Sequence, residues 1–172
     1  MRAHLDAHDT PDTRVWVADR FRSSPEPEPA PSLDRGVAGF QADLNMVRDG
    51  FARFDVLDDR VRFVQGSVEE LGADGPERIA LLRIGRSKAQ DALRILRLLY
   101  DRVAEGGVIV VDCGVRASHR SRVEKFRADR GITTPLQPVD GSAVAWRKAR
   151  GEATAPAVTP HVSGDRAYPV LA

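Results

Sequence analysis

The chain has little cysteine, few aromatic residues and no long apolar run, and each shortage excludes a class of protein. Cys113 is the only cysteine in 172 residues, so no intrachain disulfide forms and stability has to come from a packed core. No apolar stretch approaches the ~20 residues that a membrane-crossing helix needs. Met1 to Asp12 is polar and contains no signal-peptide core. The histidines His4, His8, His119 and His161, taken with Cys113, show no zinc-ligand spacing. Charge of one sign is also missing: 26 basic and 25 acidic side chains leave a formal net charge of +1. Such a balance points away from nucleic acid and from anionic membranes as partners. A cytosolic location is the expectation that follows.

What is present suits an ordinary globular domain, with 42% hydrophobic and 30% charged residues. The length is enough for one domain with a sizeable core. Met1 to His8 reads as a short helix with Met1 and Leu5 one turn apart. Arg14 to Ala18 is a short β-branched run, a buried-strand signal. Ser23 to Pro31 (SSPEPEPAP) is too rich in proline for helix or sheet and reads as a loop. Asp43 to Phe54 predicts a helix capped by Asp43, with Leu44, Val47, Phe51 and Phe54 on one face.

Val61 to Val64 and Ile79 to Ile84 predict strands, the second apolar enough to be covered on both faces. Ser87 to Val103 predicts the longest helix, started by a Ser87/Gln90 capping box and ended by Gly106-Gly107. Val108 to Val111 predicts a strand, Ala117 to Arg130 a basic helix with Val123 and Phe126 inward. Leu136 to Val139 and Ser142 to Arg147 predict a hairpin around Asp140-Gly141. Residues 150 to 172 lack periodicity and read as a disordered tail or linker after a domain spanning 1 to 149. Alternating strands and helices with an antiparallel close predict an α/β fold with a doubly wound, mostly parallel sheet.

Ligands of such sheets bind at the carboxyl ends of the strands. Asp19 closes the first strand, where a carboxylate can accept two hydrogen bonds from a ribose diol, although an Asp there can also simply open a loop. Gly66-Ser67-Val68 follows the second strand and would border an adenine. Asp112 closes the strand after VAEGGVIVVD, a tight helix-to-strand turn that aims a carboxylate into the cleft. No G-x-G-x-x-G fingerprint supports a nicotinamide or nucleotide-sugar reading. The basic helix reads as a solvated face, Trp16 and Trp146 as core, Ser118-His119 as too incomplete for a triad, and Cys113 as a small buried residue.

Five segments, in order and at matching spacing, carry a resemblance over residues 1 to 149: VWVADRF (15–21), FARFDVLDDRVRFVQG (51–66), LYDRVAEGGVIVVD (99–112), VEKFRADRGI (123–132) and VAWRKA (144–149). Together they resemble the macrocin and mycinamicin O-methyltransferase family. The resemblance implies a class I methyltransferase fold, S-adenosylmethionine as cofactor, and as acceptor a sugar or natural-product hydroxyl, such as one on a glycosylated compound. It also implies that Asp19 holds the cofactor ribose and that Arg20 and Phe21 are cofactor-binding; Gly66, Ser67 and Val68 would then border the adenine, and Asp112 is the remaining cleft acid and catalytic candidate.

Three departures accompany the matches. The family has a strand and a Gly-rich turn before a segment like MRAHLDAH, so the sheet is expected to lack its first central strand, which also makes self-association plausible. Where the family has an acidic metal-binding segment, Leu81 to Gln90 (LLRIGRSKAQ) has no carboxylate and carries Arg86 and Lys88. Where the family pairs two acids, Cys113 follows Asp112. A hard magnesium ion wants several oxygen ligands, so no metal site is expected even though the family uses one. The competing reading is a methyltransferase-like module that binds or scaffolds without turnover.

Overall fold

Residues 1–8, 10, 12–21, 43–67, 71, 75–114 and 117–152 are described by the computed structural model. The chain opens with helix α1 (Arg2–Ala7), strand β1 (Val15–Asp19), helix α2 (Leu44–Arg53) and strand β2 (Val61–Gln65). Strand β3 (Ile79–Ile84) leads through a 3₁₀ segment (Arg86–Asp91) into helix α3 (Ala92–Leu99). A further 3₁₀ turn (Tyr100–Arg102) feeds strand β4 (Val103–Asp112), followed by helix α4 (Ala117–Asp129), strand β5 (Gln137–Pro138) and strand β6 (Ala143–Arg147). The Pro-rich segment, Val68 and residues 153–172 lie outside the described residues.

The strands form two sheets rather than one continuous sheet. β1 pairs in parallel with β2, from Val15↔Val61 to Asp19↔Gln65. The second sheet has the order β3-β4-β6-β5, with β3 and β4 parallel and β6 antiparallel to β4. Among the described residues, β1 and β3 each keep one edge without a strand neighbour. Beside the β1 edge runs a groove of about 630 Å³ lined by Met1 to Ala3, Val15 to Ala18, Phe51, Phe54, Val56 and, from β3, Arg83. Four consecutive β1 residues line it, so the strand presents its backbone edge there and not one face.

Nearly all of the core belongs to the larger sheet. Leu82 and Ile84 of β3, Leu96 and Leu99 of α3, Ile109 and Val111 of β4, Val123 and Phe126 of α4 and Trp146 of β6 form one buried cluster. Trp16 and Val64 touch it only as partly buried neighbours. Tyr100 crosses Phe126 edge-on at 5.1 Å and stacks on Trp146 at 6.4 Å between ring centres, distances at which aromatic pairs are favourable.

Several boundaries differ from the sequence reading. The long helix begins as a 3₁₀ turn at Arg86, and its α-helical part starts only at Ala92; the side chains of Ser87 and Gln90 lie outside the described ones. It ends at Arg102, before the two glycines. Gly106 and Gly107 sit inside β4, which starts at Val103, five residues earlier than expected. There the register slips: Ile79 opposes Val103, yet Leu81 opposes Val108, so β4 bulges. Gly106 takes φ +74°, and a Cβ on Gly107 would lie 2.7 Å from the Ala104 carbonyl oxygen and 2.8 Å from Val103 Cγ1. These glycines allow a bulge, not a helix end. In α1 the buried residue is Arg2, while Met1 is exposed. Asp43 caps α2 by accepting from Met46 N at 2.9 Å, but Phe54 is 76% exposed and not on an inward face. The expected hairpin forms, closed by Asp140 Oδ1, which accepts from the Ser142 and Ala143 amides at 2.7 Å each.

The basic helix α4 is only partly the solvated face expected. Arg120–Glu124 and Lys125–Asp129 are exposed i,i+4 pairs. Arg127, however, is buried over the Trp146 ring and donates to the Thr134 carbonyl, and burial pulls its pKa down. Arg130 pairs with Asp101 at 2.9 Å and lies over Tyr100 and Phe126. Residues just past 149 are also held: Glu152 accepts from the Tyr100 hydroxyl and from Ala149 N, and Gly151 N donates to Glu105.

Candidate active site

β1 ends at Asp19, and parallel pairing sets β2's last residue, Gln65, beside it. The chain turns at Gly66, whose φ of 142° suits glycine, and Gly66 N donates to the Asp19 carbonyl at 2.9 Å. Phe21 follows with φ 41°, an uncommon angle for a bulky residue. Its ring is buried, edge-on to Phe63 at 6.3 Å, and Gln65 Nε2 donates to its carbonyl at 3.3 Å. These contacts hold the strained turn in place. Asp19, Arg20, Phe21, Gly66 and Ser67 therefore meet at one end of the small sheet.

The Asp19 carboxylate is asymmetric. Oδ1 accepts from Arg20 N at 2.6 Å and is ion-paired with Lys88 Nζ at 2.8 Å. Oδ2 has no partner among the described residues. Lys88 lies four positions beyond the end of β3, so the carboxyl ends of β1 and β3 face each other across the break between sheets. The sequence reading noted the positive charge of Lys88 but did not connect it to Asp19. No spacing rule links residues 19 and 88; only the docking of the two sheets does.

Asp112 ends β4, beside β3, at the same carboxyl edge. Its Oδ1 accepts from Gly114 N at 3.1 Å. Cys113, where the resemblance places a second acid, is buried, and burial pushes its thiol pKa up. It remains a neutral thiol near pH 7, no ligand for a hard cation. His119 Nδ1 lies 3.1 Å from the Cys113 carbonyl oxygen, which occupies that ring nitrogen. No group of three His, Cys, Asp or Glu able to hold a metal occurs among the described residues. The described residues at this edge do not offer the several oxygen ligands that magnesium takes. They do fit a ribose and a base: an available carboxylate oxygen beside a glycine turn and a buried aromatic. The groove along β1 is a separate feature, since none of Asp19, Gly66 or Asp112 lines it.

Residues 1–148 match the family described as macrocin-O-methyltransferase (TylF). The chain belongs to that family. Among its relatives, the 8-demethyl-8-(2,3-dimethoxy-alpha-L-rhamnosyl)-tetracenomycin-C 4'-O-methyltransferase of Streptomyces olivaceus is 32% identical over 161 residues, covering 89% of this chain and 62% of that protein. The mycinamicin III 3''-O-methyltransferase of Micromonospora griseorubida is 29% identical over 158 residues, covering 86% and 62%. The solved O-methyltransferase NovP superposes with a TM-score of 0.73 at 30% identity, covering 87% of this chain and 66% of NovP. A TDP-rhamnose 3'-O-methyltransferase of calicheamicin biosynthesis shares the fold at a TM-score of 0.58 and 16% identity. The fold is thus the class I methyltransferase α/β fold, and the chain spans a little over three fifths of the curated relatives' length, 62% for both named above. No described helix is long and apolar enough to cross a membrane.

Proposed function

We propose that this chain is part of an S-adenosylmethionine-dependent O-methyltransferase whose acceptor is a hydroxyl of a sugar or a glycosylated natural product. The observation that carries the reading is the Asp19 carboxylate at the end of β1, open at Oδ2 and flanked by the Gly66 turn and the buried Phe21 ring. Family membership supports it, as do relatives named as O-methyltransferases of a rhamnosyl-tetracenomycin and of mycinamicin III.

S-adenosylmethionine, when bound, supplies an electrophilic methyl group on sulfur. The chain's own residues do the rest. Asp19 accepts hydrogen bonds from the ribose hydroxyls, its orientation set by Arg20 N. Gly66, Ser67 and Val68 would border the adenine, and Arg20 and Phe21 would be further cofactor contacts. Asp112 would accept the proton that the acceptor hydroxyl gives up as its oxygen takes the methyl group. With Cys113 neutral and no carboxylate in the Leu81–Gln90 segment, activation of the hydroxyl rests on this base and not on a magnesium ion.

Calorimetric titration of S-adenosylmethionine, followed by transfer of its labelled methyl group to a panel of rhamnosides, tests the reading. Asp19→Ala is expected to weaken cofactor binding roughly tenfold or more, the size of lost hydrogen bonds to a charged group. Asp112→Asn is expected to leave binding intact and lower turnover by ~10²–10⁴-fold. Cofactor binding that survives Asp19→Ala unchanged overturns the ribose assignment. Binding without any transfer favours the module that no longer turns over.

A further inference from the structure

The ion pair at the mouth of the site is itself informative. Both neighbours of the Asp19 carboxylate lie against the same oxygen: Arg20 N donates to Oδ1 at 2.6 Å, and the Lys88 ammonium forms an ion pair with Oδ1 at 2.8 Å. Oδ1 thus carries one hydrogen bond and a cation in contact, while Oδ2 has no partner among the described residues. A vicinal diol that chelates a carboxylate donates to both oxygens. For a hydroxyl to reach Oδ1, one of these two neighbours must give way.

The Arg20 amide cannot. It belongs to the next residue along the chain, and the buried, positive-φ Phe21 fixes the backbone after it. Lys88 can. Its backbone is anchored, with Lys88 N donating to the Gly85 carbonyl at 2.9 Å and the adjacent Ala89 fully buried. The side chain, in contrast, reaches Asp19 through a flexible four-carbon stem and stays 27% exposed, against 44% for the carboxylate.

We propose that Lys88 is an intramolecular competitor for the ribose seat, a latch that closes the Asp19 carboxylate in the ligand-free chain and is displaced when a cis-diol binds. The proposal rests on the reading of Asp19 as the ribose contact. It makes Lys88 a residue that sets cofactor affinity from outside the cofactor's own contacts. Displacement also breaks an ion pair between the two sheets, so ligand binding loosens one of their links as it makes its own.

The test titrates S-adenosylhomocysteine, which shares the adenosine diol, into the chain and three variants. Lys88→Met, which keeps the aliphatic length, is expected to bind roughly two- to fivefold tighter, the scale of a partly exposed ion pair. Lys88→Arg is expected to restore the wild-type affinity. Raising sodium chloride from 50 to 500 mM is expected to tighten binding by the wild type and leave Lys88→Met unchanged, because salt weakens only the latch. Equal or weaker binding by Lys88→Met overturns the latch. If Asp19→Ala still loses affinity in that case, the ribose reading stands alone. Full affinity in Asp19→Ala, or no binding by wild type and Lys88→Met alike, removes the ribose reading and the latch together.

Discussion

The two sheets of this molecule are built on different principles. The larger, β3 to β6 with α3 and α4, holds a continuous apolar core in which Leu96, Ile109, Val111 and Val123 are fully buried. The smaller, β1 and β2 with α1 and α2, buries little: Val15, Phe21 and Val61 lie within it, and α2 contributes no buried residue. Charge does more of the work there. Arg2 pairs with Asp6 and Asp58, and Arg60 reaches Asp6 at 2.5 Å and Asp58 at 3.4 Å, so α1 is tied to the entrance of β2 by alternating charges. Phe63 adds edge contacts to Phe51 at 5.5 Å and to Phe21. Yet the small sheet carries most of the candidate site. The lesson is a division of labour: the apolar half is held by its core, and the charged half carries most of the residues proposed to contact a ligand, beside a β1 edge with no strand neighbour among the described residues. Function often sits on the less stable part of a structure.

The sharpest way to break the comparison is to remove core from the large half. Phe126→Ala should cost about 3–5 kcal/mol in urea denaturation, since it deletes the ring between Tyr100 and Arg130. In the small half, Phe51→Ala should cost about 1 kcal/mol, because that ring is only half-buried. Equal costs would refute the division.

The next effect concerns a cation in the apolar half. Lys148 is buried, and its Nζ donates to the carbonyls of Tyr100, Asp101 and Val103 at 3.2, 3.3 and 2.9 Å, closing the carboxyl end of the helix before β4. Lys148→Met should cost about 2 kcal/mol by leaving those carbonyls without a donor. Gly107→Ala should cost about 1–3 kcal/mol, because its Cβ meets backbone and Val103 at the bulge. A neutral Gly107→Ala would mean that β4 can straighten. Smallest in global terms, Arg2→Met should leave the urea midpoint nearly unchanged while hydrogen exchange speeds in β1 and β2 and not in β3, β4 or β6. Uniform loss of protection would show that the halves unfold as one unit.

Much of this was legible residue by residue. Local signals found every strand, because β-branched runs such as VIVV and IALLRI have few alternatives. They found the cap at Asp43 and the Asp140 turn, whose side chains act on amides two or three positions away. They failed where distant contact decides. Gly106-Gly107 read as a helix stop because a bulge and a helix end use the same residues, and only the opposing strand distinguishes them. Phe54 read as core because helical periodicity says which side chains share a face, not whether anything covers that face. Arg127 and Arg130 read as solvated because a sequence does not show that Trp146 and Tyr100 wait beneath them.

By itself the sequence determined the α/β alternation, the antiparallel close, the family and the acids at the ends of β1 and β4, since each depends on short-range pattern or on segments in order. Tertiary structure alone decided that the core gathers on one of the two sheets left by the expected loss of a central strand. It also decided that Lys88 meets Asp19. Pairing between residues so far apart is set by how packed faces fit together, and that fit is written in no local stretch of the chain.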